Sequence, residues 1–271
     1  MPKAIVDDEV NKLKALNVNI YTNKVVGKTI LMEELLCNFD AIYIASGAGL
    51  PKFMGIEGEN LNGVYSANEF LTRINLMKAY EASPTPIYHA KNVCVVGGGN
   101  VAMDAARCAL RLKPENVYIV YRRSEKEMPA RLEEVHHAKE EGINFQLLTN
   151  PVRIIGDDNF QVKGIECIRM ELGAPDASGR CSPVEIKGSN FVLDVDCVIM
   201  ALGNNPNPIL TSSFPALQTE KHGCIVVNED QKTSIDGIYA GGDIATGAAT
   251  VILAMGAGKK AASSILNYLK N

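Results

Sequence analysis

The chain has 271 residues, of which 46% are hydrophobic and 21% charged, so it can form a folded core and has a length typical of about two domains. Its formal net charge of −4 leaves no basic excess to neutralise phosphates, so neither nucleic acid nor an anionic membrane surface is expected as a partner. We also find no apolar run near the ~20 residues that cross a bilayer and no signal-peptide core at the start.

The seven cysteines are scattered along the chain, and none forms a CxxC pair. Their odd number and irregular spacing argue against a disulfide framework and against a structural zinc or iron–sulfur site. A disulfide reductase of the thioredoxin reductase type would need a CxxC beside its flavin, so that class is disfavoured. We therefore interpret the cysteines as buried thiols and expect a cytoplasmic protein.

The first part of the chain combines helices with short strands. AIYIASGAG, from Ala41, is an apolar strand that glycines end, and ANEFLTRINLMKAY, from Ala67, has helical periodicity. The proline-containing stretch from Ser83 to Pro86 breaks that helix. These features predict a domain boundary near residue 90.

From Lys91 the pattern is strand, glycine turn, helix, strand, helix and strand, which is typical of a parallel α/β domain. Residues 151–198 look rich in strands, with VKGIECIRMEL as a strand and GAPDASGRCSP as a surface turn. VDCVIMALG, from Val195, repeats the strand-plus-glycine pattern of AIYIASG, and a small-residue helix is expected from about Ala248. The predicted segments are 1–90, 91–202 and 203–271.

The strongest local motif is VCVVGGGNVA, a G-x-G-x-x-A fingerprint between a predicted strand and a predicted helix. In such a motif Gly97 permits the tight turn, Gly99 lets a pyrophosphate approach the backbone, and Ala102 permits close packing of the helix on the strand. A glycine-rich turn without a ligand is the alternative. The context favours dinucleotide binding.

The end of the next strand indicates which dinucleotide is bound. In NAD-binding proteins a carboxylate about 20 positions after the glycines accepts hydrogen bonds from the ribose. Near that spacing this chain has Arg122 and Arg123 instead. Charge-assisted bonds to a 2′-phosphate contribute roughly 1.5–3 kcal/mol each, which predicts a preference for NADPH. The alternative is a solvated strand end.

A third motif, GIYAGGD, places Asp243 directly after Gly242 at the end of a predicted strand. The carboxylate can bond a polyol hydroxyl, and the helix that begins near Thr250 presents unpaired backbone N–H groups. A turn capped by Asp243 is the equal alternative.

Together these motifs resemble one family. ASGAGLPKFMGIEGENLNGVYSANEFLTRIN, GGGNVAMDAARCALRL, VYRRSEKEMPARLEEVHHAKEEG and GIYAGGDIATGAATVILAMG are similar to the small subunit of NADPH-dependent glutamate synthase and to related NADPH-dependent flavin and iron–sulfur oxidoreductases. The resemblance runs over essentially the whole chain. It implies an α/β fold with two Rossmann-like domains, in which the NADPH domain is inserted into an FAD domain.

The resemblance also implies roles for individual residues. Arg122 and Arg123 match the 2′-phosphate site, and Glu134 matches, more weakly, a carboxylate that contacts the cofactor; an exposed helix charge is its alternative. Asp243, beside Gly242, matches a contact to the FAD ribityl chain, and Thr250 and Val251 match the helix start under the flavin. The residues that match the pyrophosphate loop are Gly97, Gly99, Asn100, Val101 and Ala102.

Family members also have a cysteine-rich iron–sulfur segment and a first FAD fingerprint, and neither occurs in this sequence. We therefore interpret the chain as a C-terminal fragment with an incomplete FAD domain, and we expect poor flavin retention and no activity by itself. The implied reaction is hydride transfer from NADPH to FAD, with electrons passing to iron–sulfur centres and then to a glutamate synthase large subunit or a ferredoxin-type acceptor. No catalytic residue is assigned. The alternative is a non-catalytic NADP(H)-binding module.

Overall fold

The computed structural model describes residues 3–81, 84–175 and 179–270. Gly49–Asn205 form one compact unit, here called the central unit, and Met1–Ala48 with Pro206–Asn271 form a second, the terminal unit. The central unit is therefore inserted into the chain of the terminal unit. Ser83 and residues 176–178, which belong to two of the expected breaks, lie outside the described residues.

Eight α-helices occur in the described residues: α1 Lys3–Ala15, α2 Met32–Asn38, α3 Ala67–Leu71, α4 Asn100–Leu110, α5 Leu132–Glu140, α6 Ile209–Ser213, α7 Asp243–Thr246 and α8 Val251–Tyr268. The strands of the same part of the chain are β1 Ile42–Ile44, β2 Leu50–Pro51, β3 Val64–Ser66, β4 Asn92–Val96, β5 Asn116–Tyr121, β6 Asn144–Leu147, β7 Thr149–Gly156, β8 Val162–Pro175, β9 Cys181–Glu185, β10 Phe191–Leu193, β11 Cys197–Met200, β12 Asn204–Asn205 and β13 Ile238–Ala240.

The first boundary of the central unit lies at Gly49 rather than near residue 90. The reason is a long-range pairing, because β3 forms a parallel pair with β11, with Tyr65 opposite Ile199. Phe70 and Ile74, on the helical segment that follows β3, are buried in the same core cluster as α4. The segment before the proline-containing stretch thus belongs to the same unit as β4 and the glycine motif. The expected boundary near residue 90 was misplaced.

A five-stranded parallel sheet, in the order β3-β11-β4-β5-β6, forms the centre of this unit. Alternate residues of its strands are buried on opposite faces, so Val95 and Ile119 belong to one core cluster and Cys94 and Val120 to another. Helices α3, α4 and α5 cover the first face. Burial on both faces explains why the strands read as continuous apolar runs in the sequence.

An antiparallel sheet covers the other face of the central sheet. Its strand order is β10-β8-β7, and β9 pairs with the distal part of β8. Ile165 and Cys167 of β8 are fully buried against the parallel sheet. The predicted strand VKGIECIRMEL corresponds to β8, and its position brings the β8–β9 hairpin to the carboxyl end of β5.

The terminal unit contains a parallel pair of strands, β1 and β13, with Ile42 opposite Ile238 and Ile44 opposite Ala240. Ile44, Ile238 and Ile244 are buried in its core cluster. The helix expected from about residue 248 is α8, which begins after Thr250. Within the described ranges, no helix is long and apolar enough to cross a bilayer.

The cysteines follow the expectation of buried thiols in most positions. Cys94, Cys167, Cys197 and Cys224 are buried, and Cys37 is exposed; all are free. Burial raises the pKa values of Cys167 and Cys197 to about 12, so both stay protonated at neutral pH and are poor nucleophiles. In the described part of the chain no group of His, Cys, Asp and Glu side chains could hold a metal ion.

Candidate functional site: two glycine-lined cavities

The glycine motif connects β4 to α4 where two neighbouring strands end. Gly97 has φ of +143°, and its N–H donates to the carbonyl of Val120 on β5 at 3.0 Å. A Cβ atom at this position would lie 2.3 Å from the carbonyl oxygen of Ala201, directly after β11. Gly97 is therefore required both by its backbone conformation and by the close approach of the neighbouring chain.

The next two glycines have different surroundings. A Cβ at Gly98 would lie 2.7 Å from the ring of Tyr121, whereas a Cβ at Gly99 would meet only Pro129 Cγ, at 3.9 Å. Gly99 has the ordinary φ of −93° and precedes α4, where no side chain caps the first N–H groups. The surface beside Gly99 is thus open, next to a helix N-terminus that can bind an anion.

The three residues after Gly99 hold this loop in place. Asn100 Oδ1 accepts a hydrogen bond from the backbone N–H of Arg131 at 2.9 Å, which connects the start of α4 to the start of α5. Ala102 is completely buried against the sheet, and Val101 is exposed. Asn100, Val101 and Ala102 do not line the adjacent cavity.

A cavity of about 550 Å³ opens at the carboxyl ends of the strands, and Gly97, Gly98 and Gly99 form part of its wall. Lys52 and Phe53 line it from the segment directly after β2, and Thr149 and Asn150 line it from β7. Its charged lining residues are Lys52, Arg122, Arg123 and Arg180, and none of the described residues that line it is acidic. Its position and charge suit an anionic ligand, and a side chain at Gly99 would enter the space that the ligand needs.

The two arginines at the end of β5 differ in environment. Arg122 is exposed and lines the cavity. Arg123 also lines the cavity but is buried, and its Nε–H donates to the carbonyl of Cys181 at 2.8 Å. Arg122 is therefore accessible to a ligand, whereas part of the Arg123 guanidinium is already hydrogen-bonded to the β8–β9 hairpin.

Glu134 lies on α5 and does not line the cavity. Its Oε2 accepts from Nη1 of Arg107 on α4 at 2.9 Å, and Arg107 also pairs with Glu141 at 2.9 Å. The hydrogen bond from Arg107 lowers the pKa of Glu141. These contacts favour a structural role for Glu134 over the cofactor contact that the resemblance implies.

We expect Glu134→Gln to change NADPH affinity less than about twofold and to lower the free energy of unfolding by about 0.5–1 kcal/mol, because it removes one half-buried ion pair. Calorimetric titration and urea denaturation measure the two effects. Glu141→Gln is the matched control, since it weakens the other pair of Arg107. A tenfold loss of affinity confined to Glu134→Gln would instead support the cofactor contact.

A second cavity, of about 300 Å³, lies within the terminal unit. Its lining includes Gly242, Asp243, Thr250 and Val251. From the sequence, these four residues are expected to form one site. Tyr43 of β1 also lines the cavity. Gly242 has φ of +74°, and burial raises the pKa of the Tyr43 phenol, which therefore remains a hydrogen-bond donor at neutral pH.

Two polar side chains of this second cavity already have backbone partners. Asp243 Oδ1 accepts from the N–H of Ala249 at 3.2 Å, and Thr250 Oγ1 accepts from the N–H of Leu253 at 3.4 Å as the N-cap of α8. One carboxylate oxygen of Asp243 therefore organises the loop before α8, and the other has no such role among the hydrogen bonds of the described residues. The turn-capping role and the ligand role are thus compatible.

Sequence reasoning missed several residues of the cavities, among them Lys52, Phe53, Arg180 and Tyr43. Arg180 lies in a stretch that looks like an ordinary surface turn, and no local spacing connects it with Arg122. Tyr43 carries the one hydroxyl group in the otherwise apolar run AIYI of a predicted strand. That hydroxyl is the one local signal that points to any of the four.

The fold and the first cavity define a two-unit α/β protein of the dinucleotide-binding class, which confirms the predicted fold class. FprA from Mycobacterium tuberculosis in complex with NADPH has the same fold, with a TM-score of 0.80 at 20% identity, over 99% of this chain and 72% of that one. Thioredoxin reductase from T. acidophilum gives a TM-score of 0.61 at 24% identity, over 85% and 65% of the two chains.

The chain belongs to the pyridine nucleotide-disulphide oxidoreductase family, which it matches over residues 6–258. It is 40% identical to the NADP(+)-dependent formate dehydrogenase subunit beta of Moorella thermoacetica, over the whole of this chain and 37% of that protein. It is 34% identical to the glutamate synthase [NADPH] small chain of Escherichia coli, over 94% of this chain and 56% of that one. The predicted resemblance is confirmed, and the chain spans about two fifths to three fifths of these relatives.

Proposed function

We propose that the chain is the NADPH-binding portion of a flavin-dependent oxidoreductase of the glutamate synthase small-subunit type. The observation that carries the proposal is the first cavity, where the open surface of Gly99 and the exposed Arg122 face the same space. One feature accommodates a pyrophosphate and the other a 2′-phosphate. The names of the relatives in Moorella thermoacetica and Escherichia coli, which specify NADP(+) and NADPH, support this choice of dinucleotide.

In this proposal the central unit binds and orients NADPH. Gly97 and Gly98 keep the backbone close to the sheet, Gly99 leaves room for the pyrophosphate, and the N–H groups at the start of α4 stabilise its negative charge. Arg122 binds the 2′-phosphate. When bound, the nicotinamide supplies a hydride and a flavin accepts it; the protein contributes position and electrostatics, and no acid or base is assigned.

We propose that the terminal unit carries the flavin side of the reaction. Asp243 can accept a hydrogen bond from a ribityl hydroxyl, the start of α8 can approach the ring, and Tyr43, which lines the same cavity, can donate a hydrogen bond. Electrons would then pass to iron–sulfur centres and to a large subunit or a ferredoxin-type acceptor. The subunit names of the Moorella and Geobacter sulfurreducens relatives support a role within a larger complex.

The competing proposal is a non-catalytic NADP(H)-binding module, and one experiment separates the two. The chain alone, and the chain joined to the part of the Escherichia coli small chain that it does not match, are compared by visible spectrum and by NADPH oxidation with an artificial acceptor. We expect the chain alone to be nearly colourless and inactive, and the joined protein to hold flavin and to oxidise NADPH. NADPH binding by both proteins, with flavin and oxidation in neither, would favour the module.

A further inference from the structure

The turn between β8 and β9 ends beside the NADPH cavity. Arg180, the residue immediately before β9, lines the cavity together with Arg122 and Arg123 of the β5 end. Pro175 pairs with Cys181, so the last described residue of β8 and the first residue of β9 are opposite each other at the base of this turn. Three guanidinium groups from two distant parts of the chain thus surround one cavity.

Arg123 connects these two parts. It is only 8% exposed, and its Nε–H donates to the carbonyl of Cys181, the neighbour of Arg180, at 2.8 Å. The carbonyl of Arg123 also accepts from the N–H of Leu148 at 3.1 Å, and the carbonyl of Leu148 accepts from the N–H of Met170 on β8 at 2.8 Å. The end of β5 is therefore fixed to both strands of the hairpin that carries Arg180.

The charge of the expected ligand favours more than one arginine contact. A phosphate monoester carries about −1.5 to −2 at pH 7 and has three acceptor oxygens, whereas one guanidinium supplies one positive charge and frequently binds two oxygens in a bidentate pair. No acidic residue lines the cavity within the described part of the chain, so the charged residues of that lining are all positive. A second exposed guanidinium beside Arg122 would complete the neutralisation.

We propose that Arg180 is a specificity-determining residue that binds the 2′-phosphate together with Arg122, and that Arg123 is a positioning residue that holds the hairpin in place. This inference rests on the proposed NADPH site. It changes the assignment made from the sequence, in which Arg122 and Arg123 share the 2′-phosphate as consecutive residues.

The test is calorimetric titration of the chain with NADPH and NADH, and with adenosine 2′,5′-bisphosphate and AMP, which differ only in the 2′-phosphate. We expect Arg180→Gln to lower the NADPH-to-NADH affinity ratio about tenfold without changing the NADH affinity, and Arg180→Lys to have a smaller effect because it keeps the charge but not the planar fork. Lys187→Gln removes an exposed charge that does not line the cavity and should keep the wild-type ratio.

A double-mutant cycle tests the role of Arg123. If Arg123 acts by positioning Arg180, Arg123→Met should lower the affinity ratio in the wild-type background and have little further effect in Arg180→Gln. Additive effects would show that Arg123 contacts the phosphate itself and would overturn its positioning role.

The outcomes for this inference and for the proposed function are distinct. An unchanged ratio in Arg180→Gln, in a chain whose wild type prefers NADPH, would overturn the role of Arg180 and leave the NADPH site standing. Failure of the wild-type chain to bind any of the four ligands would overturn both.

Discussion

Gly99→Val is expected to reduce NADPH binding by more than about a hundredfold while the chain stays folded. Gly99 has an ordinary backbone conformation, and an added Cβ would meet only Pro129, at 3.9 Å, so the protein leaves room for a Cβ at this position. The same side chain would occupy the space beside the start of α4 where the pyrophosphate must approach. Calorimetric titration gives the loss of affinity, and circular dichroism with urea denaturation shows whether the fold is kept.

Gly97→Ala is the matched variant in the same loop, and we expect it to lower the free energy of unfolding. With φ of +143° and the Ala201 carbonyl oxygen 2.3 Å from the new Cβ, even one methyl group must displace backbone. We expect a loss on the order of 3–5 kcal/mol in the free energy of unfolding. Undiminished binding in Gly99→Val would mean that these glycines form only a turn.

Arg122→Gln is expected to lower NADPH affinity roughly ten- to a hundredfold and to leave NADH affinity unchanged. Arg122 is exposed in the cavity, so the change removes a charge-assisted bond of roughly 1.5–3 kcal/mol without disturbing a buried contact. Lys126→Gln is the control, because it removes an exposed positive charge of the same unit that does not line the cavity.

The preference for NADPH should also depend on pH in a defined direction. The second pKa of a phosphate monoester is about 6, while arginine stays protonated throughout this range. The affinity ratio of NADPH to NADH should therefore be constant above about pH 7 and fall below about pH 6 as the phosphate loses one negative charge. Equal affinities for the two dinucleotides, or a ratio in Arg122→Gln that matches the wild type, would reject the assignment of Arg122.

The parts of the site that could be predicted from the sequence are those that local geometry determines. The strand, glycine loop and helix around Gly97, Gly99 and Ala102 follow from consecutive residues, because turn, close approach and packing are all decided within ten positions. The structure adds a second requirement for glycine at position 97, because the backbone directly after β11 leaves no room for a Cβ atom there. That second reason depends on Ala201, which no local pattern connects with the loop.

The parts that could not be predicted depend on long-range pairing. The expected boundary near residue 90 failed because β3 pairs with β11, which lies far along the chain. Arg122 and Arg123 look equivalent in the sequence, and they become different only because Arg123 donates to Cys181 of the β8–β9 hairpin. The pairing of Glu134 with Arg107 likewise joins two helices whose contact the sequence alone does not reveal.

The most direct test of the proposed NADPH site is a crystal structure of the chain grown with NADPH. We predict that the pyrophosphate lies against Gly99 at the start of α4 and that the 2′-phosphate lies about 2.7–2.9 Å from the guanidinium nitrogens of Arg122. The dinucleotide in a different location, such as the cavity lined by Asp243, or a 2′-phosphate with no contact to Arg122, would contradict it.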